Sequence, residues 1–115
     1  MFPKWEYNIP RWEGLKGEVR VISRKILKQF SAKHKDAESS LNAWYYEAKK
    51  AKWGNSHEVQ RLYGNSSILK HGRIVFNISG NKYRLVVMIN YETQMIYIRF
   101  IGTHLEYDNI NAEKI

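Results

Sequence analysis

His104 and Tyr107 stand three residues apart near the end of the chain, and Arg84 lies within an alternating run before them. Histidine transfers protons near neutral pH. Arginine binds phosphate oxygens in pairs and keeps its charge. Tyrosine donates a proton or stacks on a base. Groups of these types suffice for one reaction, the cutting of RNA without metal or thiol. The 2′-hydroxyl attacks the adjacent phosphorus, one group takes its proton, another donates to the leaving 5′-oxygen, and cations stabilise the charge that builds up. Glu106 and Asp108 are carboxylates close enough in sequence to orient the imidazole. The bland alternatives are an ordinary loop histidine, and a surface ion pair of Arg84 with Glu92 or Glu106.

Three alternating runs between Arg73 and Asp108 must position these groups. Gly80-Asn81 is a two-residue hairpin signal. Pairing Ser79 with Lys82 sets Ile78 opposite Tyr83, Asn77 opposite Arg84 and Ile74 opposite Val87. A slip by one residue would mix the faces, so the pattern selects this register. A second hairpin turns at Tyr91–Gln94 and sets Ile89 opposite Ile96 and Val87 opposite Ile98. One face then carries Ile74, Phe76, Ile78, Tyr83, Leu85, Val87, Ile89, Ile96, Ile98 and Phe100. The other carries Arg73, Asn77, Lys82, Arg84, Tyr97 and Arg99 among Val75, Val86, Met88 and Ile101. Cations and aromatics interleave on that face, as phosphate and base contacts require, so Arg73, Lys82, Arg99, Asn77 and Tyr97 are the candidate RNA-binding residues. His104 follows Gly102 at the strand end, and a Thr103 cap would put His104 and Tyr107 on one face of a short helix.

The apolar face needs cover, and the preceding segments supply it. Val19–Ile22 reads as a short strand. Ser23 is the expected cap of a first helix with Ile26, Leu27 and Phe30 inward, ending near His34. Asp36 is the expected cap of a second, with Ala37, Leu41, Trp44, Tyr45, Ala48 and Ala51 at helical spacing and Gly54 as its stop. A shorter helix follows from Asn55 or Ser56, with Val59, Leu62 and Tyr63 inward, then a loop over 65–72. The fold class is α+β: two N-terminal helices and a short third on one face of a mostly antiparallel sheet. Residues 1–18, broken by two prolines and two glycines, read as an N-terminal extension, and 19–115 as the domain.

Composition bounds the function. The 115 residues suit one core. A net charge of +8 and a pI near 9.7 favour polyanionic partners. Without cysteine there is no disulfide, thiolate nucleophile or sulfur-ligated zinc, and the four histidines show no metal-binding spacing. No metal or cofactor is expected. The longest uncharged apolar stretch, Leu85–Ile89, cannot span a bilayer, and no signal peptide is visible. A cytoplasmic protein with no membrane partner is the expectation.

The segments VRVISRK (Val19–Lys25), AWYYEAKKAKW (Ala43–Trp53), RIVFNISGNKYRLVVMINY (Arg73–Tyr91) and IYIRFIGTHLEYD (Ile96–Asp108) resemble, in order and spacing, the HigB-type toxins of the RelE-like mRNA interferase superfamily. The likeness covers about residues 19–111. It implies a RelE-like fold and the toxin of a type II toxin–antitoxin system, an endoribonuclease that cuts mRNA on the ribosome and inhibits translation. It also implies a helix-turn-helix antitoxin of the HigA kind as partner. By position, Arg84 matches the arginine that contacts the scissile phosphate, and His104 matches the point after Gly102-Thr103 that supplies a catalytic side chain. Tyr107 is the third catalytic candidate, although the corresponding tyrosine of RelE lies further along; Lys70 and Lys82 match family lysines loosely. Two other readings compete: a non-catalytic basic RNA-binding module, and a scaffold whose open face binds protein. RNA cleavage by the wild type but not by His104→Ala separates the first reading from both.

Overall fold

The structure, a computed structural model, describes residues 19–115, so the expected N-terminal extension lies outside the described residues. Strand β1 (Arg20–Ile22) is followed by helices α1 (Arg24–Lys33), α2 (Lys35–Ala51) and α3 (Ser56–Leu62). Then come β2 (Ser67–Ile68), β3 (Arg73–Ile78), β4 (Tyr83–Asn90), β5 (Met95–Thr103) and the one-turn helix α4 (His104–Asp108). The sheet order is β1-β5-β4-β3-β2. β1 runs parallel to β5 and every other pair is antiparallel. The architecture is thus the expected α+β one, helices backing a mostly antiparallel sheet.

The apolar stripes of the helices meet the apolar face of the sheet. Ala37, Leu41, Trp44 and Ala48 of α2 pack with Ile74, Phe76, Leu85, Val87 and Ile96 in one core. Trp44 and Trp53 reach Phe76 with ring centroids 5.4 and 6.2 Å apart. Each such fully buried side chain contributes roughly 1.5–3 kcal/mol. The β3–β4 pairing follows the expected register, Asn77 opposite Arg84 and Ile78 opposite Tyr83.

The helix ends differ from expectation, each for a local reason. Ser23 occupies the cap position of α1 but adopts a left-handed conformation (φ 73°) and makes no side-chain cap; it turns the chain out of β1. His34 precedes α2, and Asp36 lies inside its first turn, where its charge still suits the helix dipole while its carboxylate is used elsewhere. Helix α2 stops at Lys52 (φ 50°), two residues before Gly54. Asn55 caps α3 by accepting from the Glu58 amide at 3.0 Å. Val59 is buried as expected, but Leu62 is 69% exposed, because α3 ends there. The expected loop over 65–72 contains the edge strand β2.

A bulge in β5 revises the faces of the sheet. Val87 pairs with Ile98, but Val86 pairs with Phe100, which leaves Arg99 without an opposite residue. One extra residue inverts the alternation beyond it. Phe100 therefore joins the front, with Val75 and Val86, and Ile101 joins the helix-backed core. The front is also less open than the alternation suggested: Ala112, Ile110 and Ile115 pack on Val75, Val86 and Phe100.

Candidate functional site

Helix α4 begins where β5 ends, and a capping box fixes the junction. Thr103 Oγ1 accepts from the Glu106 amide at 3.2 Å, and Glu106 Oε1 accepts from the Thr103 amide at 2.8 Å. The backbone hydrogen bond from Thr103 holds the Glu106 carboxyl below its ordinary value. These bonds satisfy donors that a helix start leaves free, so even one turn has a defined direction. His104 is the first residue of that turn, its side chain 54% exposed, with Nδ1 3.4 Å from Asp108 Oδ2. Asp108, not Glu106, is thus the carboxylate beside the imidazole. Tyr107, three residues on, leans to the front, its ring centroid 6.5 Å from that of Phe100.

Gly102 makes this corner possible. A Cβ there would lie 2.5 Å from Phe100 Cζ and 3.1 Å from Glu106 Oε1. Opposite it on β4 is Arg84, half-buried, whose Nη1 donates to the carbonyls of Asn81 (2.9 Å) and Tyr83 (3.4 Å). No carboxylate pairs with Arg84 among the described residues, so the ion pairs with Glu92 and Glu106 are not formed. The Asn81 and Tyr83 carbonyls hold the guanidinium over the β3–β4 turn.

Lys82 and Tyr83 tie the turn to the helices. Lys82 forms an ion pair with Asp36 Oδ2, and the Tyr83 hydroxyl donates to Asp36 Oδ1 at 2.7 Å. Hydrogen bonds from Lys82 and then Tyr83 lower the Asp36 carboxyl. The same carboxylate raises the Lys82 ammonium and, with burial, the Tyr83 hydroxyl. Lys82 therefore turns toward α2 at the rim instead of standing on the front face. His34 completes the corner: its ring stacks on Phe30 at 4.3 Å, and Nδ1 lies 3.4 Å from the Tyr83 oxygen.

An open cleft of about 670 Å³ lies between the α1–α2 corner and the strand ends. His34, Asp36, Lys82, Tyr83, Thr103, His104 and Leu105 line it. Lys33 and Lys35 also line it. Of the residues expected in the site, His104 and Lys82 share this cleft, Arg84 sits over the adjoining turn, and Tyr107 lies on the front side of the same short helix.

The remaining candidates lie apart from it. Arg73 donates from Nε and Nη2 to the Ile115 carbonyl oxygen, at 3.1 and 2.5 Å, and from Nη1 to the His71 carbonyl at 3.0 Å. Asn77 donates to the Asn65 carbonyl at 3.1 Å. Arg99 lies over the Tyr97 ring at 5.5 Å and is exposed, so this pair presents a cation and an aromatic together. Sequence reasoning missed His34, Asp36 and Tyr83 as site residues. Alternation places Tyr83 in the core, and the other two fall at helix ends.

The fold is an α+β one, a helix-backed and mostly antiparallel sheet whose rim gathers two imidazoles and several cations. The chain belongs to the family of HigB toxins, the RelE-like toxic component of a toxin-antitoxin system, whose family model matches residues 37–110. It is 29% identical over 96 residues to the mRNA interferase toxin HigB of Escherichia coli (strain K12), covering 82% of this chain and 92% of that protein. The mRNA interferase HigB of Shigella flexneri matches equally, and that of Escherichia coli O6:H1 is 21% identical over 94 residues, covering 80% and 91%. Membership in this family makes an antitoxin the expected protein partner. Among the described residues no helix is long and apolar enough to cross a membrane.

Proposed function

We propose that this protein is a cytoplasmic endoribonuclease toxin that cuts mRNA on the ribosome by a metal-independent route, and that a helix-turn-helix antitoxin of the HigA kind neutralises it. The observation that carries the reading is the corner where His104 opens α4, Asp108 stands beside its imidazole, and Arg84 and Lys82 lie at the adjoining β3–β4 turn. The scissile phosphate binds between these cations. O2′ forms a bond to phosphorus, the P–O5′ bond breaks, and the products are a 2′,3′-cyclic phosphate and a 5′-hydroxyl.

Each group has a role that its chemistry allows. Arg84 compensates the charge on the non-bridging oxygens with a fork that keeps its charge. His104 exchanges a proton with the reacting oxygens. Tyr107, on the front of α4, donates a hydrogen bond or stacks on a neighbouring base. Arg99 with Tyr97 extends the surface along the strand, and Arg73, Asn77 and Lys82, held by Ile115, Asn65 and Asp36, are the further candidates for RNA contact.

Expression of the wild type beside Arg84→Ala and His104→Ala tests this, with mapping of the cut ends. The expected result is growth arrest and cleaved mRNA with the wild type, and loss of both in folded variants. Cleavage persists in a chelator and stops when the 2′-hydroxyl at the cut site is replaced by hydrogen. RNA bound but uncut by the wild type would favour the non-catalytic RNA-binding module.

A further inference from the structure

We propose that His34 is the second proton-transfer residue of this site, sharing the cleft with His104, and that Tyr83 and Asp36 fix its tautomer. The inference deepens the endonuclease reading and rests on it. Tyr83 has one hydroxyl hydrogen, and it points to Asp36 Oδ1, 2.7 Å away. Toward His34 Nδ1, 3.4 Å away, the same oxygen has only lone pairs to offer. In the neutral ring Nδ1 therefore carries the hydrogen, and Nε2 is the basic nitrogen. Phe30 stacks on the ring at 4.3 Å, and Tyr83 meets it edge-on at 5.3 Å, so its orientation is set as well as its tautomer. A carboxylate acting behind an imidazole is the usual way to hold a histidine base. Here a tyrosine hydroxyl stands between the two.

His34 and His104 both line one cleft of about 670 Å³, within the size range of small-molecule sites. Lys33 and Lys35, which flank His34, line it too and suit a phosphate chain. The division of labour follows from the two rings. His34 Nε2 takes the 2′-hydroxyl proton as O2′ bonds to phosphorus. His104, as imidazolium, keeps Nδ1–H toward Asp108 and gives its Nε2 proton to O5′ as the P–O5′ bond breaks. His34 ends charged and His104 neutral, and exchange with water restores both. Tyr83 and Asp36 touch no substrate and act as positioning residues.

Single-turnover cleavage of RNA carrying sulfur in place of the scissile 5′-bridging oxygen separates the roles, because a thiolate leaves without a proton. On ordinary RNA, His34→Gln and His104→Gln each slow cleavage by roughly 10²–10⁴-fold. Sulfur returns His104→Gln to near the wild-type rate and leaves His34→Gln slow. Wild-type cleavage by His34→Gln, or equal rescue of both variants, overturns the assignment. Nitrogen NMR of the His34 ring in the wild type needs no stable variant: the Nδ1–H form is expected, Tyr83→Phe shifts it toward a mixture, and a dominant Nε2–H form overturns the tautomer argument. A wild type that cuts no RNA removes the endonuclease reading itself, and this inference with it. Cleavage by wild type and His34→Gln alike removes this inference alone.

Discussion

The Tyr83 hydroxyl donates to Asp36 Oδ1 at 2.7 Å, which joins the first residue of β4 to the first turn of α2. With Lys82 on the other oxygen, the Asp36 carboxyl falls below its ordinary 3.8. A carboxyl lowered by folding contributes stability that is complete above its unfolded value and is lost as pH falls through the folded one. Lys82 and Tyr83 are raised above 10.5 and 10.0, so their contributions are present below those values and are lost on further rise. The contact thus contributes between about pH 4 and pH 10 and fades at both extremes. Asp36→Asn is expected to lower the urea midpoint at pH 7. Its gap from the wild type should narrow as pH falls from about 4 toward 2. An unchanging gap over that range contradicts the account.

Gly102 and Phe100 set a second constraint on the same corner. Any Cβ at Gly102 overlaps the Phe100 ring, which is itself packed on the front with Val86 and Tyr107. The Glu106 carboxylate of the capping box is crowded as well. Gly102→Ala should cost about 1–3 kcal/mol in denaturant unfolding. Adding Phe100→Leu should recover part of that loss. A Gly102→Ala protein as stable as wild type would mean that the ring moves freely.

The hairpin register was legible because only one pairing puts Ile74, Phe76 and Ile78 on the same side as Leu85 and Val87. Thr103 was legible as a cap because threonine precedes a residue pair with glutamate at the third helical position. The bulge was not: Ile98, Phe100 and Ile101 are all apolar, and nothing in their order marks Arg99 as the unpaired residue. Nor was the part of the cleft that His34, Asp36 and Tyr83 line. His34, Asp36 and Tyr83 are separated by up to 49 residues, and only the packing of α1 and α2 against β4 brings them together. Tyr83 shows the difficulty most clearly. Its ring is core, as alternation says, while its hydroxyl reaches the rim.

Thr103 controls where His104 begins. Replacing it by alanine removes one partner of the capping box and leaves the Glu106 amide without its acceptor. The expected loss is about 1 kcal/mol, with Thr103→Ser close to wild type. Faster amide exchange should be confined to α4 and the residues after it. Loss of protection across β4 and β5 as well would show that the cap supports the whole sheet end.

Arg73 uses its guanidinium on the chain's own last turn, with Nε and Nη2 both on the Ile115 carbonyl and Nη1 on that of His71. This grip holds Ala112 and Ile110 over Val75 and Val86. Lysine at 73 keeps the charge but loses the fork. Arg73→Lys should therefore speed amide exchange over residues 109–115 and cost about 1.5–3 kcal/mol, the range for hydrogen bonds to a charged group. RNA binding reads the other half of the question. A cation that contacts phosphate contributes about one unit to the slope of log affinity against log salt. Arg84→Gln should lower that slope by about one unit and Arg73→Gln by clearly less. Equal changes in the two variants would show that RNA displaces Ile115 and takes Arg73 for a phosphate.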